Sequence, residues 1–202
     1  MVAVSKTKPV EDLQAAYEAG QRHFGENYVD EFVEKAGQLP SDIHWHFIGH
    51  LQSNKIKKLI TVPNLVLFET VDSEKLAGKL NKELTKLGRT SPLSVLVQVN
   101  TSGETTKAGV TTEQVPSLVS YIRTDCPMLR FNGLMAMGAL NDVEGFRAMA
   151  ALKTSLVTED LTADNFILSM GTSVDYELAI QEGASEVRLG STIFGARNYP
   201  AK

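Results

Sequence analysis

The chain has 202 residues, 43% hydrophobic and 22% charged, with a formal net charge of −4. That balance suits one globular domain, residues 1–202, with a sizeable core, and it argues against nucleic acid as the main partner because phosphate backbones select basic surfaces. No apolar run approaches the roughly 18 residues of a membrane span, "MVAV" is too short to read as a signal peptide, and Cys126 stands alone, which excludes an internal disulfide or a cysteine-based metal cluster.

A reducing compartment is therefore expected, the cytoplasm in the simplest case, with the mitochondrion also compatible. Along the chain two periods alternate. A β-rich run at 2–6 precedes a helical pattern at 10–20, then strand 23–26 and helix 27–39, strand 44–49 and helix 53–60, strand 65–70 and helix 73–88. The series continues with strand 94–100 and helix 111–125, strand 130–138 and helix 142–160, strand 165–171 and helix 173–183, and strand 186–195. In the 73–88 segment Leu76, Leu80, Leu84 and Leu87 share one face and Lys75, Lys79, Lys82 and Lys86 another, a 3.6-residue period with a solvated stripe. Gly20, Gly88 and Gly183 stand where helix C-caps favour glycine. Strands such as "LVLF" and "VLVQV" are continuous apolar runs, as in a parallel sheet covered on both faces.

Strand and helix alternating in this way predict an α/β fold, a (β/α)8 TIM-type barrel. An open doubly wound sheet is the alternative, but no G-x-G-x-x-G follows the first strand and no G-x-x-x-x-G-K-[ST] occurs. Eight strands accompany seven helices, so one covering helix is lacking at the seam between strands 8 and 1. The expectation is a shortened barrel, or a seam covered by a partner.

Barrel sites lie on the loops after the strands. Strand 1 brings Lys6 there, strand 2 Glu26 and Asn27, strand 3 His50, strand 4 Glu69, and strand 5 Asn100. Strand 7 brings Ser169, Gly171, Thr172 and Ser173, and strand 8 brings Arg188, Gly190, Ser191 and Thr192. A lysine at an apolar barrel mouth is disfavoured as an ammonium and becomes a nucleophile for carbonyls. "SMGTS" and "RLGSTIFG" put glycines and hydroxyls after strands 7 and 8, where such barrels hold phosphate on backbone N–H groups. Ser173 is expected to cap the helix that follows and aim its positive end at the anion.

The segments "VAVSKTKP", "FGENYVDE", "WHFIGHLQ", "GLMAMG" and "SMGTSVDYELAIQEGASEVRLGSTIFGAR" resemble the pyridoxal phosphate homeostasis protein family, whose members are similar to the N-terminal barrel of alanine racemases. The resemblance covers nearly the whole chain and implies a fold type III barrel that binds pyridoxal 5'-phosphate (PLP). It implies that Lys6 holds the cofactor as a Schiff base, that residues 169–173 and 190–192 cradle its phosphate, that Arg188 faces the pyridine nitrogen, and that Asn27 lines the cofactor face. A donor-only arginine at that nitrogen weakens the ring as an electron sink. Tyr17, Tyr28, Tyr121, Tyr176 and Tyr199 are poorly placed to serve as a second acid/base. The implied function is a carrier that buffers or delivers PLP, with apo forms of PLP-dependent enzymes as partners, as a monomer and without efficient turnover. A weak amino-acid racemase is the alternative, and a Schiff-base sugar-phosphate aldolase a third reading. Two departures stand out: the helical segment that family members carry before the first strand is missing, and Thr172 stands where the family often has methionine.

Other residues invite blander readings. Lys8 and Lys107 are expected to be solvated loop charges. His44, His46 and His50 lack a convincing set of further ligands, so no metal is expected; His44 and His46 should share one side of strand 3 near the lower rim. Met135 and Met137 are expected to fill the barrel. Glu26 and Glu69 are equally readable as general bases or as paired structural carboxylates. Asn100-Thr101-Ser102 matches a glycosylation acceptor and is read as chance.

Overall fold

The computed structural model describes residues 1–104 and 107–196. Tyr199 lies outside them. Eight parallel strands close into a barrel in sequence order: β1 (Val2–Val4), β2 (His23–Glu26), β3 (His44–Phe47), β4 (Leu65–Val71), β5 (Leu93–Val99), β6 (Leu129–Ala136), β7 (Ile167–Thr172) and β8 (Glu186–Leu189). The helices α1 (Val10–Glu18), α2 (Val29–Ala36), α3 (Ile56–Leu59), α4 (Glu74–Leu87), α5 (Val115–Asp125), α6 (Val143–Leu156) and α7 (Tyr176–Gln181) follow the strands in turn. The predicted fold class is the observed one. The seam closes by direct pairing, Val2 opposite Arg188 and Ala3 opposite Leu189.

Alternation along the strands sorts the side chains. Phe24, Trp45, Phe47 and Phe68 point outward beneath the helices and are fully buried there. Phe32 of α2 meets Trp45 edge-on at 5.3 Å, and Phe47 stacks on Phe68 at 5.9 Å. This layer between barrel and helices is the main core. Inside the barrel a small apolar cluster forms around Leu67, Leu96 and Met135. Val2 and Ile48 also stand inside, beside the buried polar residues His46, Glu69, Ser169 and Arg188.

Elements end where local chemistry stops them. Ser73 caps α4 by accepting from the Leu76 N–H, and Gly88 closes it at φ +73°. Leu76, Leu80 and Leu84 are buried as predicted, but Leu87 at the helix end is exposed. The eighth strand stops at Leu189 rather than reaching Gly195. A single helical turn, α8 (Ser191–Phe194), follows, with Ile193 N–H and Phe194 N–H donating to Gly190 O. The β-prone "STIF" therefore yields to a turn anchored on a glycine carbonyl. Lys8, expected in solvent, instead donates to the carbonyls of Phe194 and Ala196, at 2.6 and 2.8 Å. It ties that turn to the β1–α1 loop beside the seam, where the eighth helix is one turn long among the described residues.

Gly49, just past β3, leaves room for the Asn27 backbone: a Cβ there would sit 2.0 Å from Asn27 O. Gly49→Ala is expected to destabilise the barrel by about 3 kcal/mol through this overpacking, read as a lower urea midpoint in equilibrium unfolding.

Candidate functional site

A cavity of about 390 Å³ opens at the C-terminal face, lined by Val4, Lys6, Asn27, Ile48, Met137, Thr172, Ser173, Val174, Arg188, Gly190 and Ser191. Six turns after different strands contribute to it, as barrel sites do. Of the sequence-predicted set, Lys6, Asn27, Thr172, Ser173, Arg188, Gly190 and Ser191 meet on its wall. Ser169, Gly171 and Thr192 are not among the lining residues. A larger depression of about 820 Å³ lies at the opposite end, around Leu129, Arg130 and Asn165, and brings together none of the predicted residues.

Lys6 owes its place to a network that sequence reading missed. Ser5 is fully buried; its N–H donates to Gly25 O, its hydroxyl donates to Glu26 at 2.7 Å, and its carbonyl accepts from Lys35 Nζ at 2.7 Å. Lys35 also reaches Glu26 at 2.7 Å and Glu31 at 2.6 Å. Thr7, on the other side of Lys6, adopts φ +63° and donates its N–H to Glu31. A β-branched residue in that region is strained and persists only where its surroundings hold it. The turn carrying Lys6 is thus clamped from both sides by α2. Glu26 is a paired structural carboxylate: burial raises its pKa, and Lys35 and Ser5 oppose the rise. A helical Lys at position 35 gave no signal, since helix surfaces usually carry such residues.

Asn27 lines the cavity, and its Oδ1 is buried with no hydrogen-bond partner. The Ser173 hydroxyl oxygen accepts from two backbone N–H groups, Gly190 at 3.0 Å and Thr192 at 3.3 Å. These N–H groups converge on one oxygen, which is the geometry of an anion nest. Ser173 does not cap the next helix, contrary to expectation. Asp175 stands at that N-cap, and its carboxylate closes the turn by accepting from Thr172 N–H at 2.7 Å and Thr172 Oγ1 at 2.9 Å. The Thr172 N–H is therefore committed within the turn. With its N–H and hydroxyl both held by Asp175, Thr172 presents a rigid wall.

Arg188 forms the floor. The residue is 5% exposed, and its guanidinium donates to Ser169 Oγ and to Ala136 O, each at 2.8 Å. Ser169 in turn donates to Glu69 at 2.7 Å. Ser169 thus supports the floor from beneath. Glu69 also meets His46 Nδ1 at 2.8 Å, so it too is structurally paired. His44 and His46 share one face of β3 as expected, and both contact His23. Met135 fills the barrel, whereas Met137 lines the cavity. Lys107 pairs with Glu104 and donates to Gly138 O, at the edge of an adjoining depression that shares Asn27 and Ile48.

The model of the alanine racemase N-terminal domain matches residues 1–198. Pyridoxal phosphate homeostasis proteins are similar throughout: the human one is 45% identical over 214 residues, covering all of this chain and 78% of its own, and that of Schizosaccharomyces pombe is 47% identical over 203 residues, covering 98% and 84%. The chain belongs to this family. Among solved structures, PipY of Synechococcus elongatus with PLP bound aligns at TM-score 0.80 with 32% identity, over 96% of this chain and 92% of that one. An alanine racemase from E. faecalis aligns at TM-score 0.72 with 18% identity, over all of this chain and 56% of that one, a likeness of fold. Family membership agrees with the resemblance read from the motifs.

Two outcomes follow from the buried charges. Lys35→Met leaves the Glu26 carboxylate unpaired and is expected to cost about 3–5 kcal/mol; adding Glu26→Gln should recover part of this in urea unfolding. Burial, and then the neighbouring Glu69, raise Glu186 from 4.5 to about 7. Between those values the folded chain holds a proton that the unfolded chain has shed, so the stability from this group is full at low pH and is lost as pH rises through about 7. Glu186→Gln removes that slope. Its unfolding free energy relative to wild type should therefore increase from about pH 5 to about pH 8.

Proposed function

We propose that this chain binds pyridoxal 5'-phosphate as a Schiff base of Lys6 and buffers or delivers it within the cell, without efficient catalysis. The observation that carries this reading is the meeting of Lys6, Arg188 and the Ser173–Gly190 turn on one cavity wall, in a fold whose Synechococcus relative has PLP bound. The donors suit the group. The hydroxyls of Ser173 and Ser191 suit a phosphate, which would take the place of Ser173 Oγ as acceptor for the Gly190 N–H. The orphaned Asn27 Oδ1 is a buried acceptor awaiting a donor. A cavity of about 390 Å³ is of small-ligand size.

When bound, PLP supplies an aldehyde for amines and a ring that withdraws electrons from the attached carbon. Lys6 provides the amine, on a turn clamped by Lys35 and Glu31. Arg188, always charged and only a donor, would keep a ring nitrogen facing it unprotonated and so limit electron withdrawal. No tyrosine is among the described residues lining the cavity. A proton at a substrate carbon would therefore lack a second acid/base partner of that kind. Holding the cofactor while leaving it a weak electron sink is what a carrier requires. The recipients would be apo forms of PLP-dependent enzymes.

The test is spectroscopic. Wild-type protein mixed with PLP is expected to develop an aldimine band distinct from that of free PLP, and Lys6→Ala to show only the free-PLP spectrum at equal concentration. Coincident spectra would remove Lys6 from its role. Chiral analysis after long incubation with L-alanine should show no racemisation beyond the cofactor alone; turnover would establish the racemase reading. Borohydride trapping of a sugar phosphate without PLP would establish the aldolase.

A further inference from the structure

The barrel interior below Arg188 holds more ionisable groups than cofactor binding uses. Facing one another there are His23 of β2, His44 and His46 of β3, Glu69 of β4, Ser169 of β7, and Glu186 and Arg188 of β8, with the N-terminal amino group near His46. The inner residues of β5 and β6 at this level are the apolar Leu96 and Met135. We propose that Glu69 is the positioning residue for Arg188, and that one proton shared among Glu69, Glu186 and His46 sets how firmly it holds the guanidinium. Its bearing on the cofactor rests on the function proposed above.

With Glu69 ionised, the hydrogen bonds have one set of directions. Arg188 can only donate, so Ser169 Oγ accepts from it and sends its own proton to Glu69 Oε2, at 2.7 Å. Glu69 Oε1 accepts from His46 Nδ1 at 2.8 Å. Burial holds His46 in its neutral form, so its Nε2 must accept, and His23 Nδ1 lies 2.9 Å from it. His23 Nε2 then accepts from His44 Nδ1 at 3.3 Å, and His44 is exposed. Every bond in this file runs toward Glu69, from solvent at the lower rim and from Arg188 at the cavity floor.

The charges leave room for one more proton. One guanidinium faces two carboxyl groups, since Glu186 Oε2 lies 3.8 Å from His46 Nδ1 and its charge acts directly on Glu69. Glu186 Oε1 is buried without a partner. A shared proton balances the three side chains Arg188, Glu69 and Glu186; a divalent cation would leave those three with a net positive charge. The proton has a path. One taken up at His44 Nε2 releases the Nδ1 proton to His23 Nε2; His23 passes its Nδ1 proton to His46 Nε2, and His46 passes its own to the carboxyl pair. Each ring ends as its other neutral tautomer, and the carboxyl pair has gained one proton. Glu69 then pulls less on Ser169 and, through it, on Arg188.

The experiment uses the cofactor-free full chain, labelled with nitrogen-15 in arginine. The Arg188 side-chain resonance is expected to shift between about pH 6 and about pH 8 in wild type, and to stay flat in Glu186→Gln and in Ser169→Ala. Glu69→Gln should also be flat and should weaken PLP binding about tenfold by equilibrium dialysis. If Glu69→Gln fails to fold, the other two variants carry the test. A flat wild-type resonance, a Glu186→Gln titration equal to wild type, or one equivalent of zinc taken up by wild type and lost in His46→Asn would each overturn the proposal. A chain whose Arg188 resonance shifts with pH but which does not bind PLP defeats the functional reading and leaves this one standing.

Discussion

Burying the Arg188 guanidinium inside the top of the barrel constrains most of what surrounds it. A fully ionised group taken from water needs every donor occupied and its charge answered nearby. Ser169 Oγ and the Ala136 carbonyl take two of its N–H groups, and Glu69 answers the charge through Ser169. Glu69, itself fully buried, then calls for His46, and His46 for His23. A polar column along the barrel axis results, where many such barrels pack layers of branched apolar residues. Leu67, Leu96 and Met135 form an apolar cluster beside that column.

A second buried cation performs the matching task at the wall. Lys35 reaches from α2 to Glu26, Glu31 and the Ser5 carbonyl, and so holds the turn on which Lys6 sits. The two systems are separate in space and act on different parts of the cavity. One sets the floor, the other the direction of the amine. The third wall, the Ser173–Gly190 contact, is made from hydroxyl and backbone groups without net charge. Rigid supports under each wall suit a site that must present a fixed geometry to a small anionic ligand.

Reading the sequence recovered the strand–helix alternation, the barrel and most of the cavity lining, because each rests on short-range signals. Continuous apolar runs mark strands buried on both faces, as at Leu96 and Val97; the leucine period marks α4; glycine marks its end. The errors fell where a distant group overrode a local preference. "STIF" left the sheet for a helical turn anchored on Gly190. Ser173 turned away from its own helix because the Gly190 and Thr192 N–H groups were in reach. Lys8 abandoned solvent for two carbonyls more than 180 residues away in the chain.

Periodicity and strand-end chemistry alone were enough for the architecture and for placing a lysine, an arginine and a glycine–hydroxyl turn at one end of it. Their physical basis is local: backbone geometry repeats every 2 or 3.6 residues whatever the rest of the chain does. Which carboxylates are buried, which lysine is structural and which histidines touch were decided only when the barrel closed. Closure brings Glu69 and Ser169, 100 residues apart, within 2.7 Å, and in that low-dielectric interior each polar group must be answered by whatever partner the closed fold supplies.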